Sequence, residues 1–199
     1  TASNNTAVGY ASLTANTTGA SNVAMGQGAM FTSTTGNSNT ALGQNALYKN
    51  TTADGNTAVG KDTLYENTTG ASNTAVGRIA LGANTTGSSN VAVGYSALDA
   101  NTTASNNTAV GAAALTANTT GTRNVALGAL ALDANTVGDK NVAIGMDALG
   151  ANVDGSRSVA IGDSALLSQD PASAVEMYNT AVGHAAGGAV TTGIQNTLI

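Results

Sequence analysis

Apolar and polar positions recur along this chain in a block of 17 residues that is rewritten from end to end. In outline each block reads Asn-Thr-Ala-Val-Gly-x-x-Ala-Leu-x-x-Asn-Thr-Thr-Gly-x-x: an apolar triplet, a glycine, a second apolar pair, then a polar stretch. The first glycine anchors the register. Gly9, Gly26, Gly43, Gly60, Gly77, Gly94, Gly111, Gly128, Gly145 and Gly162 follow at one interval, and only the step to Gly183 is longer, by four residues. A period kept without drift predicts a solenoid in which each block is one coil stacked on the last.

Aligned by their anchor glycines, the blocks form columns. The residue before the anchor is Val8, Met25, Leu42, Val59 and so on to Val182, and the one before that is alanine throughout, from Ala7 to Ala181. Threonine or valine stands three places before the anchor. These triplets predict short β-strands. Side chains alternate along a strand, so the valine and Thr/Val columns share one face and alanine lines the other. Neither face is polar, and a strand apolar on both faces calls for cover on both sides. One face can look into the coil; the other predicts self-association, and the all-alanine column is expected to let neighbouring backbones approach closely.

A second strand is expected after the anchor, carrying the column Leu13, Met30, Leu47 to Leu166, preceded mainly by alanine. The asparagines that open each coil, from Asn5 and Asn22 to Asn141 and, past Ser158, Asn179, are expected to form a coil-to-coil amide ladder. The fold class predicted is therefore all-β, a parallel β-roll or solenoid with 17-residue coils, as a single repeat array over 1–199 with an expanded coil at 158–178. About 11 coils at ~4.8 Å give a rod roughly 50 Å long. The chain opens and closes in mid-repeat, as expected of a segment of a longer fibre.

Composition narrows the function classes. Charged residues are 9% and aromatics 3%, and the apolar 42% is mostly alanine, valine and leucine, which suits a thin core. A net charge of -5 with six scattered basic residues argues against nucleic acid. No apolar run approaches the ~20 residues of a membrane-spanning helix, so no direct membrane insertion is expected. The absence of cysteine decides no compartment.

The units Asn22-Val23-Ala24-Met25-Gly26, Asn141-Val142-Ala143-Ile144-Gly145 and Ser158-Val159-Ala160-Ile161-Gly162 resemble the head repeats of trimeric autotransporter adhesins. The wording Asn-Thr-Ala-Val-Gly with Asn-Thr-Thr-Gly is also similar to repeats of phage tail fibres and bacterial surface fibres. The resemblance implies a homotrimer of left-handed parallel β-rolls whose first strands face the three-fold axis. It also implies an extracellular place, at a cell surface or on a virion, with a cell-surface glycan or protein as receptor. The coils here are longer than the adhesin type, the extra length lying in the Asn-Thr-Thr-Gly stretch.

No catalytic, cofactor or metal site is expected. His184 is the one histidine, and the carboxylates Asp62, Glu66, Asp99, Asp133 and Asp147 are distributed over several columns. Two features are candidate binding surfaces. Phe31, Tyr48 and Tyr65 share a column in three successive coils and are expected to stack outward at about 5 Å, as a stabilising ladder or a docking strip for sugar faces. The expanded coil carries Gln169, Asp170 and Pro171, expected on a surface loop. The leading function is a structural and adhesive fibre segment; a self-assembling filament subunit and an ice-binding solenoid are alternatives. Against ice binding, adjacent threonines such as Thr68 and Thr69 point opposite ways in a strand, whereas a flat ice face needs them on one side.

Overall fold

The computed structural model describes residues 2–199. Its strands are three residues long: β1 Thr6–Val8, β2 Val23–Met25, β3 Thr40–Leu42, β4 Thr57–Val59, β5 Thr74–Val76 and β6 Val91–Val93. They continue as β7 Thr108–Val110, β8 Val125–Leu127, β9 Val142–Ile144, β10 Val159–Ile161, β11 Thr180–Val182 and the shorter β12 Thr197–Leu198. All pair parallel with their sequence neighbours in one 12-stranded sheet, β1 to β12 in order. Alanine pairs with alanine at every step through β11, as in Ala75↔Ala92. The register survives the expanded coil, where Ala160 pairs with Ala181. The predicted solenoid of 17-residue coils is what the chain forms.

The alanine column faces inward and, from Ala24 to Ala181, is fully buried. This corrects the expectation that alanine would admit a neighbouring chain. The reason is thickness. Opposite the sheet, the leucine column from Met30 to Leu166 and the alanines before it, such as Ala46 and Ala97, are also fully buried in the same cluster. Leucine fills the narrow interior, and opposite leucine only a methyl group fits.

The second expected strand does not form. After each anchor the chain runs through turns, with the leucine column held at φ between 49 and 54° and the residue two places after the anchor also left-handed, as at Asn45 (55°) and Ala113 (55°). A strand buries every second side chain; here the left-handed positions turn two consecutive side chains, such as Ala46 and Leu47, into the core. The backbone still bonds from coil to coil, for example Leu47 N–H to the Thr63 carbonyl at 3.0 Å and Lys49 N–H to the Tyr65 carbonyl at 3.0 Å. These bonds offset the steric cost of non-glycine residues in that region, of order 1–2 kcal/mol each.

Two buried asparagine columns clamp the coils. In the expected one, the Oδ1 of Asn56 accepts the backbone N–H of Asn73 at 2.9 Å, and its Nδ2 donates to the Gly70 carbonyl at 2.9 Å. This ladder is therefore built mainly from side chain to backbone. The second, not anticipated, uses the asparagine of Asn-Thr-Thr-Gly and runs amide to amide: Asn84 Nδ2 to Asn67 Oδ1 at 2.8 Å, Asn101 Nδ2 to Asn84 Oδ1 at 2.8 Å. The ladders meet at shared carbonyls, since Asn73 and Asn84 both donate to that of Gly87.

The second ladder is interrupted at Ser33, whose hydroxyl is too short to bridge. Its Oγ and the Oδ1 of Asn16 are buried without a partner. Ser33→Asn is expected to complete the ladder by donating to Asn16 and accepting from Asn50, raising stability by about 1 kcal/mol. A melting temperature equal to or below that of the parent chain would contradict it. At the anchor, Gly60 holds φ +133°, and a Cβ there would lie 2.7 Å from the Gly77 carbonyl oxygen and 2.8 Å from its carbon. Both belong to a backbone tied by the 2.8 Å bond from Gly77 N–H to Val59. Gly60→Ala should destabilise by roughly 2–4 kcal/mol in urea unfolding.

Candidate functional site

Because each leucine turns inward at a left-handed φ, the residue after it emerges on the outside. Phe31, Tyr48 and Tyr65 take that place in three successive coils and stack, with ring centroids 5.1 Å apart and planes tilted 9° and 10°. Their spacing follows the coil pitch, so the ladder results from the repeat and three aromatic choices. Beside it, Lys49 donates to both carboxylate oxygens of Glu66 at 2.9 and 2.7 Å, and its Nζ stands 5.6 Å from the Tyr65 centroid. The hydrogen bond to Glu66 is the main cause that holds the lysine's pKa above its usual value. Asn45 Nδ2 donates to Asp62 Oδ1 at 2.9 Å.

Hollows flank the ladder at each end. One of about 480 Å3 is lined by Tyr65, Asp62, Glu66, Ile79, Gly82 and Asp99, together with Asn45 and Ala83. The other, about 320 Å3, lies against Phe31 and Tyr48 with Tyr10 and Gln27. Burial pushes the Asp99 carboxyl up from the usual carboxylate range. Burial does the same to Asp133, partly opposed by backbone hydrogen bonds and aided by the charge of Asp147. His184 is exposed, with Nδ1 at 3.1 Å from Asp163 Oδ2. Among the described residues no three His, Cys, Asp or Glu side chains are placed to hold a metal ion.

The expanded coil corrects two of its three candidates. Gln169 is fully buried and stands in the second ladder, 17 residues after Asn152. Its Nε2 donates to Asn152 Oδ1 at 2.9 Å, while its Oε1 accepts from Ser158 Oγ at 3.1 Å and Asn179 Nδ2 at 2.8 Å. The longer side chain spans both ladders at the coil where serine replaces the opening asparagine, so the two departures from the repeat compensate each other. Pro171 is also buried, its Cγ lying 3.2 Å from where a Cβ on Gly155 would stand, with Met177 alongside at 3.1 Å. Asp170 alone of the three is exposed. Near the end of the insertion Arg157 Nε donates to Glu176 Oε1 at 2.6 Å and its guanidinium lies 5.6 Å from the Tyr178 centroid. Hydrogen bonds from Tyr178 and then Arg157 hold the Glu176 carboxyl below its usual range.

A further surface comes from the strands. The columns flanking the buried alanines point outward, and Met25 is 44% and Leu127 46% exposed. Among the described residues no charged side chain stands in any strand, so the stripe of threonine and apolar side chains runs along the sheet without a charge. Monomeric proteins rarely expose apolar stripes of this extent unless another surface meets them.

Comparison with protein-family models, with curated proteins and with solved structures finds no match for this chain.

If Gln169 is a ladder member and not a contact residue, Gln169→Ala strands buried groups on Asn152, Ser158 and Asn179. The expected loss is about 2–4 kcal/mol, against less than about 0.5 kcal/mol for exposed Asp170→Ala. Chemical unfolding of the two variants checks the ranking.

Proposed function

We propose that this chain is a structural and adhesive segment of an extracellular fibre, in which three copies join through the outward Thr/Val sheet face and the rod spaces or presents a receptor-binding surface. The carrying observation is the stripe of Thr/Val and Val/Leu/Ile/Met columns on the outward side of β1 to β11, exposed or half-buried and with no charge among them. Burying such side chains contributes roughly 25 cal/mol per Å2, so cover over a stripe that runs the length of the sheet favours association. The interface differs from the one expected at first, because alanine points inward. The likeness of the Val-Ala-Ile-Gly units to adhesin head repeats supports three-fold symmetry and a place at a cell or virion surface.

The threonine pairs favour this reading over ice binding. From Thr17 to Thr119 the first of each pair donates its hydroxyl to a carbonyl of the next coil, as Thr68 does to Thr85 at 3.0 Å and Thr119 to Thr136 at 3.1 Å. One hydroxyl of each pair is thereby committed to stacking coils and is not free to order water.

Light scattering on the purified chain is expected to give three times the 19.2 kDa of one copy. Val93→Asp with Val110→Asp, on adjacent strands of the outward face, should return single chains whose circular dichroism keeps the solenoid spectrum. A native mass of one copy would overturn the trimer, and a distribution of growing lengths would favour an open filament.

A further inference from the structure

The aromatic ladder stops where glycine takes the place of a fourth ring. The residue equivalent to Phe31, Tyr48 and Tyr65 is Gly82 in the next coil and Asp99 in the one after. The face of Tyr65 turned away from Tyr48 therefore borders the hollow of about 480 Å3 instead of another ring. What remains is a shallow, open slot where the ladder's next ring would stand. Tyr65 forms one wall, and the Asp99 carboxylate reaches in from the other side, its Oδ1 2.7 Å from where a Cβ on Gly82 would stand.

The chemistry round the slot is two-sided. Tyr65, Ile79 and Ala83 supply apolar surface, and Asp62, Glu66 and Asp99 supply acceptors. Asp62 and Glu66 already have donors in Asn45 and Lys49. Asp99 has no ion pair and no side-chain donor among the described residues, although it is partly withdrawn from water. Ile79 adds a second irregularity. It is the one β-branched residue at its place in the coil, held at φ 54° in the left-handed region. β-Branched side chains are outliers there, and such strain gathers at binding sites.

We infer that this slot binds a pyranose ring, its apolar C–H face laid on Tyr65 and its edge hydroxyls donating to Asp99 and to the remaining lone pairs of Asp62 and Glu66. The ring's C–H groups carry partial positive charge and meet the negative face of the phenol. A pyranose has donors round its whole edge, matching acceptors spread round the slot, whereas an aromatic amine concentrates its charge at one point. The inference names a ligand class for the receptor-binding surface and rests on that part of the fibre reading alone, not on the trimer. Every lining residue comes from one chain and none from a strand, so the mass measurement and the binding measurement fail independently.

Saturation-transfer NMR on the full chain, with methyl glucoside, galactoside, mannoside and their N-acetylamino counterparts as probes and tyramine as the cationic control, tests it. Transfer to the ring protons of at least one pyranoside is expected, with a dissociation constant on the order of millimolar. Tyr65→Ala and Asp99→Ala should weaken it roughly ten-fold or more. Gly82→Tyr rebuilds the missing rung, with Asp99 swinging aside, so it should abolish transfer while the melting temperature holds or rises; this separates a filled slot from an unfolded chain. Absence of transfer from every pyranoside, transfer unchanged by Gly82→Tyr in the folded chain, or binding of tyramine in place of the sugars would each overturn the inference.

Discussion

Every coil of this protein must bond to a near copy of itself one strand spacing away, about 4.8 Å along the rod. That requirement governs the rest. A column that participates in stacking has to present the same group in the same place each time. The anchor is glycine because the carbonyl of the next anchor occupies the space a Cβ would need. The inner asparagines persist because each Oδ1 is the partner of the next coil's amide. A departure in one ladder is tolerated where another side chain supplies the lost bond, as Gln169 does beside Ser158, and otherwise leaves an orphan, as at Ser33.

The same requirement explains which parts of the fold were legible. Period, strand positions and parallel register follow directly from columns of like residues, and the structure has them. The inward face of the strand was ambiguous because alanine and valine are both apolar; cross-section decides it, and cross-section depends on what the other side of the coil contributes. The false second strand had its warning in the sequence. Ala46-Leu47, Ala97-Leu98 and Ala148-Leu149 are adjacent apolar columns, and period two cannot bury both. Left-handed positions on either side of the alanine do so, and no glycine or asparagine marks the leucine of each coil as left-handed.

Legibility of the candidate sites divides along the same line. Aromatic stacking was readable because it is a column property, and Phe31, Tyr48 and Tyr65 stack at the coil pitch. The hollow was not, because it arises from an absent side chain at Gly82 and from Asp99 leaning across a coil boundary. Gln169 and Pro171 were misplaced by treating the whole insertion as a surface loop. Counting from Asn152 puts Gln169 in the amide column, and the extra residues fall after it.

Columns that stack and columns that vary also separate by chemistry. No lysine, arginine, aspartate or glutamate occupies the anchor, the strand triplet, the two inward positions after the anchor or either asparagine column. Charges and aromatic rings stand only where a side chain leaves the rod. A substitution there changes the surface without disturbing a neighbour's backbone bonds, so distinct patches can arise on an unchanged frame. On the binding inference drawn above, specificity would reside in irregularities of the outward columns, where one coil departs from the next. By that criterion the place where a ring gives way to Gly82 and then to an unpartnered Asp99 carries more information about a ligand than the ladder it ends.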